Sequence, residues 1–100
     1  MKVVEHEPAS WFLLREEGAY YLEVPCALDN RNFNLLITLT EDECRQYEIS
    51  GKVFIQDMVV EIRGFPQAYY NRNQSIELQK TVGKVILEWR KYNVWSEISE

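Results

Sequence analysis

Histidine, cysteine and long apolar runs are scarce in this 100-residue chain, and each scarcity excludes something. The one histidine, His6, reads as an exposed residue near the N-terminus. A Cys–His nucleophile would need it to reach Cys26 or Cys44, and nothing in the spacing suggests that. Two cysteines and one histidine, all far apart, do not make a zinc signature, so no metal or other cofactor is expected. One cysteine pair is too sparse for a disulfide-built scaffold, and a reduced, cytoplasmic setting is the simplest inference. Residues 1–8 hold no apolar stretch of the kind a signal peptide needs. The purely apolar runs are too short for a transmembrane helix, which takes about 20 residues, so no membrane role is expected. There is no nucleophile elbow, phosphate-binding loop, dinucleotide fingerprint or HExxH.

What the chain does hold is ordinary apolar content, 46%, with thirteen aromatics to build a core. This length suits one domain, residues 1–100. The net charge is −5. Residues 1–50 carry four Lys/Arg against ten Asp/Glu, and residues 51–100 carry seven against six. An acidic surface repels phosphate backbones, so nucleic acid is a poor candidate partner. It favours a basic protein, although moderate charge also simply keeps a small protein soluble.

Alternation by two dominates as far as Thr40. Ser10–Glu16 and Ala19–Cys26 flank Glu17-Gly18, a two-residue hairpin loop in which Gly18 takes positive φ. That register sets Leu13 opposite Leu22 and Trp11 opposite Val24. One face then gathers Trp11, Leu13, Tyr20, Leu22, Val24 and Cys26; the other gathers Phe12, Leu14, Tyr21 and Glu23. Pro25 lacks a ladder donor, so pairing is expected to fail or bulge there. Asp29-Asn30-Arg31-Asn32 is turn chemistry, and Phe33–Thr40 follows as a third strand. Lys2–Glu5 is a candidate short edge strand.

Helical spacing takes over after Thr40. Thr40 with Glu43 is a capping box, reinforced by Glu41 and Asp42 at the positive end of the helix dipole. Cys44, Tyr47, Gly51, Phe54, Ile55, Met58, Val59 and Ile62 form one stripe, consistent with a helix over 41–63 that Ser50-Gly51 could kink. Gly64 and Pro66 end it. Ser75 caps a second helix to about Lys91, striped by Leu78, Val82, Val85, Ile86 and Trp89, with Asn93 as its stop. Trp95 and Ile98 are expected to dock the tail. The fold expected is α+β: a three-stranded antiparallel meander followed by two long amphipathic helices packed on the sheet.

Three surfaces are candidates for a partner. The loop between the helices concentrates Arg63, Phe65, Tyr69, Tyr70, Asn71 and Arg72, and Tyr and Arg are enriched at binding hot spots. The competing reading is that Phe65 and a tyrosine only pin the loop. The second is the face bearing Phe12, Leu14, Tyr21 and Leu36, open if both helices pack on the other side and suited to a homodimer; the last helix would otherwise cover it. The third is acidic: Glu16, Glu17, Glu23, Glu41, Asp42, Glu43 and Glu48. These features favour a non-catalytic module, an adaptor or an immunity-type inhibitor, that binds a protein. A small-ligand or enzymatic domain with a site between sheet and helices, and a homo-oligomeric structural protein, are the alternatives.

Overall fold

The structure, a computed structural model, describes the backbone of residues 1–98 and the side-chain surroundings of residues 1–92. Four strands, β1 (Lys2–Glu7), β2 (Trp11–Glu16), β3 (Ala19–Leu28) and β4 (Arg31–Thr38), form one antiparallel sheet in chain order. Helices α1 (Glu41–Ser50) and α2 (Lys52–Gly64), a 3-10 helix at Pro66–Arg72, and α3 (Ile76–Ile98) follow. The chain is therefore α+β: the candidate edge strand joins the three-stranded meander as β1, and the first long helix is broken in two. α3 continues past Asn93. The expected docking of Trp95 and Ile98 lies outside the described side chains.

Turn residues set the strand lengths. Glu17 and Gly18 have φ of 49° and 82°, the mirror-image turn whose twist matches its flanking strands. Leu13 then opposes Leu22, as the hairpin register requires. Asp29 and Asn30, at φ 52° and 64°, repeat that turn between β3 and β4. Arg31 and Asn32 are thereby released from the turn into the strand. The Ser10 amide donates to the Glu7 carbonyl across Pro8-Ala9 at 2.9 Å, with Ala9 at φ 58°.

Pairing of β3 with β2 stops at Glu23, short of Pro25, as expected of the hairpin, while on its other side Pro25 sits opposite Asn34 in an unbroken β3–β4 ladder. The reason is direction. The Pro25 carbonyl accepts from the Arg63 Nε at 3.0 Å and so points away from β4. Within a strand, a residue's nitrogen and carbonyl leave on the same side. The missing donor therefore faces the place where β2 has already ended, and no ladder bond is lost.

Each sheet face is covered. Ile55, Met58, Val59 and Ile62 of α2 pack on Leu13, Leu22, Val24, Leu35 and Ile37. Val82 and Ile86 of α3 pack on Phe12, Leu14 and Leu36, with Tyr21 partly buried beside them. Such burial contributes roughly 1.5–3 kcal/mol per large side chain. The second candidate surface is thus no surface: Phe12, Leu14 and Leu36 are at most 2% exposed. The helical stripe from Leu78 to Trp89 had to be buried, and the α2 side was already full.

Thr40 and Glu43 form the reciprocal capping box at the start of α1. Gly51 breaks the helix at φ 67°, ψ −145°, a conformation open to glycine almost alone. The break lets α2 bury four residues while α1 buries none completely.

Candidate functional site

Of the six residues singled out above, Arg63 lies in the last turn of α2 and the others in the connection to α3, and they divide into two kinds. Arg63 is a tie: besides Pro25, it donates through Nη1 to the Ser10 hydroxyl at 3.0 Å and through Nη2 to the Ser10 carbonyl. It closes the end of the sheet where β2 stops. Tyr69 donates its hydroxyl to Glu61 at 2.7 Å. Burial, then the Glu61 carboxylate, pushes its phenol up to about 12. Arg72 grips Glu43 with both terminal nitrogens, at 3.0 and 2.6 Å, and also donates to the Thr38 carbonyl. Phe65, Tyr70 and Asn71 are the other kind. Phe65 is 68% and Tyr70 48% exposed, and Asn71 is exposed beside them. Tyr70 meets the Phe33 ring edge-on at 6.0 Å between centroids.

Beyond Arg72 the chain crosses the outer edge of β4 from one face of the sheet to the other. Asn73 forms an antiparallel bridge with Ile37. The Gln74 amide donates to the Leu36 carbonyl, and the Leu36 amide donates to the Asn73 Oδ1, both at 2.9 Å. Leu36 therefore points its backbone groups outward, and by the two-residue repeat so do Asn34 and Asn32. The outward set of Pro25, opposite Asn34, agrees with this. Among the described residues, nothing pairs with the outward backbone groups of Asn32 and Asn34.

This open stretch runs along a groove of about 670 Å³. Phe33 and Tyr70 wall it on the α2 side; Ile76, 71% exposed, and Gln79 wall it on the α3 side. Two further hollows, about 540 Å³ beside Cys26 and Arg63 and about 220 Å³ beside Glu23 and Gly83, also reach Asn34. The Glu23 carboxyl is held above its ordinary range by burial, against the pull of Arg90. No hydrogen-bond donor reaches it among the described residues.

Reading the sequence missed this groove. Asn32 reads as turn, and nothing local says that the strand that follows lies at an edge of the sheet. Ile76 carried a signal: it is apolar yet lies off the stripe that α3 buries.

The acidic set does not form one surface. Glu23 lies on the α3 face, Glu43 is held by Arg72, Asp42 by Arg45, and Glu16 by the Met1 ammonium. His6 is not exposed; it packs against Trp89 and Phe12, at 4.5 and 6.0 Å between ring centroids. Cys26 and Cys44 are free thiols, and burial raises both. Among the described residues there is no cluster of three metal-ligating side chains. Nor is any helix there long and apolar enough to cross a membrane. The chain matches no protein-family model, no curated protein and no solved structure.

Proposed function

We propose that this protein is a non-catalytic interaction module, an adaptor or inhibitor, that binds a protein partner through the surface where the 3-10 helix meets β4. One observation carries this reading. Phe65 and Tyr70 are held out to solvent by a segment that Tyr69 and Arg72 fix in place. Large aromatics on a rigid support lose little entropy on binding, which is why such residues dominate interface energetics. The net charge of −5 supports a basic partner.

The test is a Phe65→Ala/Tyr70→Ala variant, since neither side chain makes a hydrogen bond among the described residues and only the Tyr70–Phe33 ring contact is lost. Wild-type and variant protein, immobilised equally, are compared for quantitative partner capture. The variant should keep its melting temperature and lose most of the capture. Equal capture by both would place the contact elsewhere. Replacing Tyr69 or Arg72 would not serve, because the loop would come loose with them.

A further inference from the structure

The open edge of β4 allows the partner's chemistry to be narrowed, on the reading that the protein binds a protein. We infer that Arg31–Leu35 accepts an extended peptide as a fifth strand, with apolar and basic side chains alternating along it.

Backbone valence comes first. The outward amides and carbonyls of Asn32 and Asn34 are two donors and two acceptors spaced as one side of a ladder. An extended main chain satisfies all four at once, which a helix or an irregular loop does not. The chain has begun this addition itself, since Asn73 and Gln74 pair with Leu36 and Ile37 on the same edge. The incoming strand continues that pairing into the groove.

The opposite edge of the sheet shows the contrast. β1 carries a bulge between Val3 and Glu5, and along it lie Lys2, Glu5 and Glu7. A bulge and charge are the usual ways to blunt an exposed edge. β4 has no irregularity in its register, and its flanks are Tyr70, Phe33 and Ile76.

Side chains of an added strand point alternately to the two walls. Those on the α2 side meet Phe33 and Tyr70, which suit an apolar residue. Those on the α3 side meet Ile76, Gln79 and the hollow holding Glu23. Gly83 leaves that hollow open, with no atom within 4 Å of where a Cβ would stand. A Lys or Arg stem lies along Ile76 and delivers its charge to the Glu23 carboxylate, which feels Arg90 but accepts no hydrogen bond among the described residues. Lys80 lines the same hollow.

The probe is a displayed library of linear peptides, selected on wild-type protein and resynthesised for titration. Selected peptides should alternate apolar and basic residues. Asn34→Pro removes one outward donor and no β3 ladder bond, and should weaken binding about fivefold or more. If that variant folds poorly, N-methylation of the peptide amides that face β4 makes the same test on the ligand. Glu23→Gln should erase the preference for basic over neutral peptides while raising the melting temperature. Peptides that bind but ignore both Asn34→Pro and N-methylation would overturn strand addition and leave the interaction module standing. Equal loss of basic and neutral peptides with Glu23→Gln would overturn the charge assignment. Failure to select any peptide, together with equal capture by the Phe65/Tyr70 variant, would overturn both readings.

Discussion

Arg72 and Glu43, 29 residues apart, are joined by two parallel hydrogen bonds, and the Glu43 oxygen nearest Arg72 also accepts the Thr40 amide. One carboxylate thus caps α1 and anchors the 3-10 helix. Removing the guanidinium leaves that carboxylate half-buried and without its cation. Arg72→Ala should cost about 1–3 kcal/mol, and Arg72→Lys most of that, because an ammonium cannot form the fork. Chemical denaturation of the two variants measures both values.

The same pair predicts a pH dependence. Burial alone would raise Glu43, but the bonds from Arg72 and Thr40 outweigh it and hold the carboxyl below 4.5. A group whose folded pKa is depressed adds stability that is complete above its unfolded value and is lost as pH falls through the folded one. Wild-type stability should therefore decline on acidification below 4.5. The decline should be shallower in Arg72→Ala. Parallel curves for the two proteins would show that the pair contributes nothing there.

Arg63 joins α2 to Ser10 and Pro25 across 53 and 38 positions of sequence. Its head is partly in solvent, so Arg63→Ala should cost only about 1–2 kcal/mol. The loss should be local: faster amide exchange around Ser10 and the C-terminal turn of α2, with the β3–β4 ladder unaffected. Exchange rising equally across all strands would contradict a local tie.

Two backbone positions predict opposite signs. Gly51 at φ 67°, ψ −145° has open space where a Cβ would go, so Gly51→Ala is opposed by conformation alone. It should cost about 1–3 kcal/mol. Ala9 holds a left-handed φ of 58° that glycine adopts freely. Ala9→Gly should gain on the order of 0.5 kcal/mol, strain relief exceeding the added freedom of the unfolded chain. Thermal melts of both variants check the pair of signs.

These residues show where sequence is legible. The Leu13–Leu22 register, the Thr40 capping box and the buried stripes of α2 and α3 are written in neighbours one to four positions apart. Spacing of two or of three-and-four carries such information directly. Gly51 could be marked as a weak point, but its φ depends on how α2 seats on the sheet. Arg63 and Arg72 read as binding residues because Arg in an aromatic loop looks the same whether it faces a partner or its own chain. Their ties span tens of residues, and no local pattern encodes them. The coverage of Phe12, Leu14 and Leu36 rested on where α3 packs, and the open β4 edge on strand order. Both are settled by how elements compete for the two sheet faces.

Amide hydrogen exchange at Asn34 in the free protein tests the open edge most directly. Phe33 and Leu35 direct their amides into the β3 ladder and should be protected, while the Asn34 amide between them should exchange fast and become protected when a peptide is added. A slow Asn34 amide in the free protein would show that the edge is already closed, and no strand could be added there.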